Sequence, residues 1–406
     1  MLKACNVKPN GLRKIAECHF TKLLKLTNAQ EGKLMSNQLK NYALIFLVIM
    51  TGNGCSHIYD STDNTLSTEA DNSSFVLQQS APIKVKIVVV TMFEIGADEG
   101  DKAGEFQFWK TRRNLYQRIP FPQSHHDLYY NPDSQILGMV TGMGTAKSAT
   151  ATMALGLDPR FDLSEAYWIV AGIAGIDPED ASIGSVAWSS YLVDGDLGYE
   201  IDAREIPQNW DTGFFPLFTK APYDPDKPES IGELFIANPT LRDWAFELTQ
   251  NVTLVDDPAL SEIRDLYTEH PNARRTPFVL SGGHIAAMTF WHGALKNDWA
   301  NQWVSYWSDG NTDFITSAME DTGTYQAIFY LDKIDKVDKD RFLVLRGGSN
   351  YTMPPPGVTA AQSLVKENEG YAGLEVALEN IYLIGSVVID ELLKNWSQHG
   401  TVVPNS

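Results

Sequence analysis

The chain has 406 residues, of which 43% are hydrophobic and 11% aromatic, and its net charge is −19 at pH 7. This apolar content is sufficient for one large or two small domains with a buried core. The acidic balance argues against nucleic acid or an anionic membrane surface as a partner, because both would repel the protein.

The amino-terminal segment, residues 1–55, differs in composition from the rest of the chain and resembles a bacterial export signal. Residues 1–34 are rich in lysine, and one interpretation is translation from a start codon upstream of a true initiator at Met35. After Met35 come Lys40 and an apolar run over residues 42–50, the order that a signal peptide has. The run is shorter than the roughly 20 apolar residues that cross a bilayer as a helix.

The signal-like segment ends at Gly54-Cys55-Ser56, which resembles a lipoprotein cleavage site. The usual pattern has leucine three residues before the cysteine, where this chain has Gly52, so a plain secretory signal or an uncleaved amphipathic start remains an alternative. We expect an exported lipoprotein, periplasmic or in the outer membrane, that is lipidated at Cys55 and touches a membrane only through that anchor. No cysteine follows, which excludes a disulfide, a thiolate metal site and a cysteine nucleophile from the rest of the chain.

The segment 56–81 is dominated by Ser, Thr, Asn and Asp and is predicted to be a flexible linker to a single domain over residues 82–406. That domain opens with a predicted strand over residues 83–90, followed by Glu94 at its carboxyl end. The segment 97–135 is loop-like and aromatic. His125 and His126 are adjacent there, and adjacent side chains of an extended segment point to opposite faces, so we predict no metal site.

A second strand over residues 136–140 leads through Thr141-Gly142-Met143-Gly144-Thr145 into a predicted helix. This order of strand, glycine turn and helix presents free backbone N–H groups to a ligand. The apolar strand Tyr167–Val170 then runs into Ala171-Gly172-Ile173-Ala174-Gly175, where small residues allow a ligand to lie against the backbone. Tight packing of a core strand is the alternative explanation.

The remaining elements alternate between strands and helices. A short strand over 276–281 leads into Gly282-Gly283-His284, a helix begins after Glu320, and a buried strand over 342–346 ends at Gly347-Gly348-Ser349-Asn350. Because polar groups cluster just after strands, and strands and helices alternate, we predict an α/β fold with a mostly parallel central sheet flanked by helices.

Together these motifs resemble the nucleoside phosphorylase and nucleosidase superfamily, and residues 82–394 more closely resemble the purine nucleoside permease (NUP) family. The resemblance rests on the ordered set Thr141–Gly144, Ala171–Ile176, Ser281-Gly282, Met319-Glu320 and Ser349-Asn350. It implies a nucleoside phosphorylase-like fold that binds a purine nucleoside without a cofactor. Whether the chain forms a homo-oligomer stays open.

The resemblance also implies roles for individual residues. The substrate-binding set that we predict is Gly144, Thr145, Ala174, Gly175, His284, Met319, Glu320 and Ser349. Within this set the carboxylate of Glu320 accepts hydrogen bonds from the ribose 2′ and 3′ hydroxyls. Asn350 would donate to the purine N7 as charge develops there during cleavage.

Two departures from the superfamily pattern bear on the reaction. Many relatives have Asp, which can protonate N7, where this chain has Asn350, whose amide cannot. The phosphate-binding Gly-Asp-Pro-x-Arg element is missing, although Arg112 or Arg113 could supply a cation. We therefore predict that water, activated by Glu94, is the nucleophile, and that hydrolysis is favoured over phosphorolysis. The alternative is a non-catalytic nucleoside-binding lipoprotein that supports transport.

Overall fold

The computed structural model of the protein describes residues 81–367, 370 and 372–405. The predicted signal segment, Cys55 and nearly all of the predicted linker lie outside the described residues, so the predictions about them stay predictions.

Sixteen strands are present in the described residues. They are β1 (Ile83–Lys84), β2 (Ile87–Thr91), β3 (Gln117–Ile119), β4 (Leu128–Asn131), β5 (Ile136–Val140), β6 (Phe161–Asp162), β7 (Tyr167–Ile176), β8 (Val186–Ser189), β9 (Tyr191–Asp194), β10 (Tyr199–Glu200), β11 (Phe214–Phe215), β12 (Leu234–Ile236), β13 (Val279–Ser281), β14 (Gly283–Ala286), β15 (Phe314–Ala318) and β16 (Phe342–Tyr351).

Nine α-helices accompany these strands in the same part of the chain, with one 3₁₀ turn at Lys339–Arg341. They are α1 (Gln107–Arg112), α2 (Thr145–Leu157), α3 (Pro239–Thr249), α4 (Pro258–Arg264), α5 (Ala294–Ser308), α6 (Asp321–Asp332), α7 (Ala360–Glu367), α8 (Leu374–Lys394) and α9 (Trp396–His399). None of the helices in the described residues is long and apolar enough to cross a membrane.

Twelve of the strands form one central sheet, ordered β12-β9-β14-β15-β7-β2-β5-β4-β3, with β16 and then β8 and β13 branching from β7. The predicted α/β class is confirmed, and the sheet is mixed. The pairs of β2 with β5 and β7, and of β7 with β16, are parallel, whereas β15 runs antiparallel to β7 and β8 runs antiparallel to β16. The long strands β7 and β16 are the spine of this sheet.

Alternating residues of the spine face two separate apolar layers. Trp168 and Val170 pack with side chains of α2 and α6 on one face, whereas Ile169 and Leu345 pack with α8 on the other. Each fully buried side chain of this kind stabilises the fold by roughly 1.5–3 kcal/mol. A strand buried on both faces must be apolar throughout, which is why the run at Tyr167 predicts its position correctly.

β7 continues beyond Val170, where the sequence suggested that it ends. Its small residues stay in the sheet because β16 pairs with them on one side, with Gly348 opposite Ala174 and Asn350 opposite Gly175 after a register shift. On the other side Ser317 of β15 pairs with Gly175. Three strands therefore bring their ends together at Gly175.

Candidate functional site

A cavity of about 190 Å³ opens at the carboxyl ends of β7 and β16. Its wall combines apolar and aromatic side chains with a small number of charged ones, the composition of a small-molecule site. The lining residues are Phe93, Glu105, Met143, Ile173, Ala174, Gly175, Thr289, Phe290, Trp291, Ser317, Ala318, Met319, Glu320, Arg346, Ser349, Asn350 and Thr352.

Six of the predicted site residues line this cavity. They are Ala174, Gly175, Met319, Glu320, Ser349 and Asn350. Four other predicted residues lie outside the lining: Glu94, Gly144, Thr145 and His284. These six residues come together because the ends of β7, β15 and β16, on or next to which they lie, are adjacent in the sheet.

The glycine turn supports the cavity wall from behind. Gly144 has a φ of 101°, a left-handed conformation that favours glycine, and its N–H donates to Glu320 Oε1 at 3.1 Å. Thr145 begins α2, and its carbonyl lies so close to Gly323 of α6 that a Cβ there would overlap it. The turn thus positions Glu320 and packs two helices together, and among its residues Met143 lines the cavity.

Glu94 has a structural environment that differs from the predicted one. Its two carboxylate oxygens accept hydrogen bonds from the backbone N–H groups of Ile95, Gly104, Phe106 and Gln107. These bonds close the loop that begins after β2 and stabilise the start of α1. Backbone N–H groups of its own loop occupy both carboxylate oxygens, and Glu94 does not line the cavity, so we transfer the predicted role of Glu94 in water activation to another residue.

Glu105 lines the cavity at the end of the loop that Glu94 closes. Its Oε2 accepts from the Met92 N–H and its Oε1 from the Ile173 N–H, both at 2.8 Å. Burial raises the pKa of Glu105 to about 8, an effect that nearby Arg346 opposes and the charge of Glu320 increases. A carboxyl group with a pKa near neutral is suited to exchange a proton during a reaction.

Arg346 is the cation of the site. This side chain is 1% exposed and lies on β16, and its Nη2 contacts Glu320 Oε2 at 3.0 Å and Asp321 Oδ2 at 2.6 Å. Its Nη1 donates to the Ile173 carbonyl at 3.0 Å. Burial would raise the pKa of Asp321, but Arg346 and His284 outweigh this effect and hold it well below its usual range.

His284 lies behind the cavity wall and contacts the same ion cluster. Its Nε2 is 2.8 Å from Asp321 Oδ2 and its Nδ1 is 2.9 Å from Thr316 Oγ1, and the ring is fully buried. His284 does not line the cavity, so its predicted contact with the ligand stays a prediction.

Neutral polar groups of β16 also line the cavity. Asn350 Nδ2 donates to the Tyr351 carbonyl at 3.2 Å, and its Oδ1 accepts from Ser349 Oγ at 3.0 Å. The Ser349 hydroxyl also contacts the Ala174 carbonyl at 3.3 Å. An amide nitrogen has two hydrogens, so one N–H of Asn350 stays available to a ligand.

Neither Arg112 nor Arg113 contributes a cation to the cavity. Arg112 pairs with Glu379 and Arg113 with Asp390, both on the outer surface of α8. Among the lining residues, all within the described part of the chain, Arg346 is the only Lys or Arg, and carboxylates already surround it. The same part of the chain contains no group of three His, Cys, Asp or Glu residues that could hold a metal ion.

The sequence analysis missed Glu105, Arg346 and Asp321. Arg346 had a visible signal, since a charged residue inside the apolar run FLVLR must find a buried partner. Asp321 directly follows the recognised pair Met319-Glu320, and this position was its only signal. Glu105 had none, because it lies in a segment without regular periodicity.

The fold and the cavity define an α/β protein with a carboxylate-lined site for a small ligand. The model of the purine nucleoside permease (NUP) family matches residues 84–404. Because this match covers most of the chain, the protein belongs to the purine nucleoside permease family.

Two curated relatives are similar over most of the chain. A probable purine nucleoside permease of Schizosaccharomyces pombe is 28% identical over 323 residues, which are 77% of this chain and 90% of the relative. The purine nucleoside permease of Candida albicans is 28% identical over 317 residues, 77% of this chain and 76% of the relative.

Solved structures of nucleosidases are similar at a lower level. A 5′-methylthioadenosine/S-adenosylhomocysteine nucleosidase from Colwellia psychrerythraea, in complex with adenine, has a TM-score of 0.45 and 15% identity, over 76% of this chain and 96% of its own. The futalosine hydrolase of Helicobacter pylori has a TM-score of 0.44 and 15% identity, over 76% of this chain and 98% of its own.

Proposed function

We propose that the protein binds a purine nucleoside in this cavity and cleaves its N-glycosidic bond with water. The observation that carries the proposal is the arrangement of the cavity wall. Two buried carboxyl groups, Glu105 and Glu320, lie beside Arg346, and the amide of Asn350 lies further along the same strand, β16. A nucleoside has a diol, which matches the carboxyl groups, and a basic ring, which matches the amide.

The ribose would be bound by Glu320 over Met319. Glu320 offers roughly four lone-pair positions, and the N–H groups of Gly144, Met319 and Arg346 occupy three of them. One hydroxyl therefore binds directly, and the second requires the 3.2 Å contact from the Met319 N–H to open. The purine would lie against the backbone of Ala174 and Gly175.

The cleavage step is assigned to Glu105 and Asn350. A water oxygen attacks C1′ of the ribose, its proton passes to the ionised Glu105 carboxylate, and the electron pair of the C1′–N9 bond leaves with the purine. The free N–H of Asn350 donates to N7 and stabilises the charge that accumulates on the leaving base. Solvent then supplies the proton that the purine anion takes up.

Water is favoured over phosphate because of the charge of the site. Arg346 carries the only Lys or Arg charge in the described lining, and its guanidinium already contacts two carboxylates and a carbonyl. A phosphate dianion would approach Glu105 and Glu320 without a free cation to stabilise it. The neutral water molecule has no such electrostatic cost.

The names of the fungal relatives favour a second candidate function, nucleoside binding in support of transport. We propose to distinguish the two by incubating the purified full chain with inosine and guanosine and separating the released bases by chromatography. Enzymatic cleavage yields free base, Glu105→Gln abolishes its release, and phosphate leaves the rate unchanged. Binding of nucleoside without release of base would favour the transport-related function, and a rate that depends on phosphate would indicate phosphorolysis.

Export and lipidation belong to the proposal as well. If Cys55 is the lipidated residue, Cys55→Ser releases the protein from the membrane fraction into the soluble fraction. Identical fractionation of the two proteins would contradict the lipoprotein hypothesis.

A further inference from the structure

A chain of buried contacts runs from the cavity wall into the interior. Glu320 at the wall contacts Arg346, Arg346 contacts Asp321, Asp321 contacts His284, and His284 contacts Thr316. Each of these five side chains is at most 4% exposed. Only the first two line the cavity, so the function proposed above uses neither Asp321 nor His284.

The geometry around Arg346 is directional. Asp321 accepts from Arg346 at two points, Nε to Oδ1 at 3.1 Å and Nη2 to Oδ2 at 2.6 Å. A bidentate pair of this kind fixes the plane of the guanidinium as well as its position. With the plane fixed, Nη2 is directed at Glu320 and Nη1 at the Ile173 carbonyl.

His284 in turn fixes the orientation of the Asp321 carboxylate. His284 Nε2 lies 2.8 Å from Asp321 Oδ2 and its Nδ1 lies 2.9 Å from Thr316 Oγ1, so the ring bridges the carboxylate and the hydroxyl. His284 and Thr316 are paired neighbours on β14 and β15, so two sheet strands hold this end of the chain of contacts rigidly.

We propose that Asp321 and His284 are positioning residues that hold Arg346 in the one orientation in which it aligns Glu320 for the ribose hydroxyls. This inference rests on the proposed nucleoside site. If the pair is released, the guanidinium is free to turn toward the other carboxylates of the cavity, and Glu320 loses its fixed direction. Because the base-binding side lies on other residues, only the ribose contribution to affinity should suffer.

The test measures that ribose contribution without any turnover. The ligands are 9-deazainosine, whose C-glycosidic bond water does not cleave, and 9-deazahypoxanthine, which differs from it only in lacking the ribose. Calorimetry of the full chain gives both dissociation constants. The constant for 9-deazahypoxanthine divided by that for 9-deazainosine is the ratio that reports the ribose contribution. Asp321→Asn should reduce the ratio about tenfold, the effect of losing one charge-assisted hydrogen bond.

A matched control is available in a second ion pair, in which the arginine is buried and the carboxylate partly exposed. Asp256 holds Arg264 with two contacts of 2.7 and 2.8 Å, outside the cavity lining. Asp256→Asn removes the same kind of interaction, so it should lower the melting temperature and leave the ratio unchanged. If Asp321→Asn behaves in the same way, or weakens both ligands equally, the positioning role is wrong.

A second pair of variants keeps the inference testable if Asp321→Asn fails to fold. His284→Leu should lower the ratio in the same direction, and His284→Gln, whose amide N–H can still reach Asp321, should restore most of it. Equal ratios for the two variants would overturn the inference. Wild-type chain that binds neither ligand overturns the nucleoside site and the inference together, whereas binding without cleavage of inosine overturns the proposed reaction alone and leaves the ratio test intact.

Discussion

Glu105 and Arg346 meet over the backbone of Gly172. A Cβ added to Gly172 would lie 2.6 Å from Arg346 Nη1 and 2.7 Å from Glu105 Oε1, and it would overlap the Met92 side chain. Both charged groups thus occupy space that any other residue at position 172 would fill. The glycine of the central strand serves the charged side chains of the site, in addition to any ligand that approaches the backbone.

This relationship predicts the effect of Gly172→Ala. The added methyl group must displace Glu105 and Arg346, and we expect turnover of inosine to fall about 10²-fold, the loss that a misplacement of about 1 Å produces. Gly156→Ala is the control, since its methyl would overlap Leu331 between α2 and α6, away from the cavity. The control should unfold at lower temperature and retain its turnover per folded molecule. Equal turnover of both variants would separate Gly172 from the site.

The raised pKa of Glu105 predicts a pH dependence of the reaction. Water activation requires the ionised carboxylate, and with a pKa of about 8 this form is the minor one at neutral pH. We expect kcat/KM for inosine to rise with pH up to about 8 and to level off above it. Glu105→Gln should lose this rise along with most of the activity. A profile that is flat between pH 6 and pH 9 would assign the base role to another group.

The same pKa predicts a pH dependence of stability. The unfolded chain releases the Glu105 proton near its ordinary pKa of 4.5, whereas the folded protein keeps it until about pH 8. The contribution of this carboxyl to the free energy of unfolding is complete below pH 4.5 and is lost as the pH rises to about 8. The slope is at most about 1.4 kcal/mol per pH unit. Glutamine resembles the protonated carboxyl and does not titrate, so in urea unfolding wild type should become progressively less stable than Glu105→Gln as the pH rises from 4.5 to about 8. A difference that stays constant with pH would contradict the shift.

Glu320→Gln tests the proposed ribose contact. The amide keeps the shape, but it accepts fewer hydrogen bonds and places an NH₂ group against the N–H donors of Arg346 or Gly144. Affinity for inosine should fall about tenfold or more, since a charge-assisted hydrogen bond contributes roughly 1.5–3 kcal/mol. The affinity of 2′,3′-dideoxyinosine should change little. Comparable losses for both nucleosides would move Glu320 out of the ribose site.

The sequence predicted those parts of the fold and site that depend on local pattern. The apolar run at Tyr167 marked the central strand, and the residues expected just beyond a strand, such as Asn350, line the cavity because the ends of β7, β15 and β16 converge there, although β16 itself continues through Asn350. Glu94 also follows a strand, yet its carboxylate is directed to the N–H groups of its own loop. Periodicity does not reveal where an irregular loop returns to the sheet. It could therefore not predict that Glu105, and not Glu94, would line the cavity.

The antiparallel strands of the sheet were a second feature that the sequence could not reveal. β15 pairs antiparallel with β7, and this pairing places Ser317 beside Gly175 and brings the following Met319 to the cavity. Strand direction depends on the path of the connections between elements, which side-chain pattern alone does not specify.

Asn350 provides the most direct test of the proposed purine site. Asn often caps a turn after glycines, but Asn350 lies within β16, pairs with Gly175 and is 4% exposed, with one amide hydrogen on the Tyr351 carbonyl. Asn350→Ala removes the donor to N7 and should lower turnover of inosine roughly 10²–10³-fold if the donor acts as one in an oxyanion hole does.

Asn350→Asp should add an ionisation to the pH–rate profile, because only its protonated form can donate to N7. The Tyr351 carbonyl at the same position disfavours the anion and should raise the pKa of the new carboxyl group. Activity of Asn350→Asp should therefore decline as the pH rises through that pKa, a descending limb that the wild type lacks. If Asn350→Ala lowers only the melting temperature, with turnover and base preference unchanged, the residue stabilises β16 and the purine is recognised elsewhere.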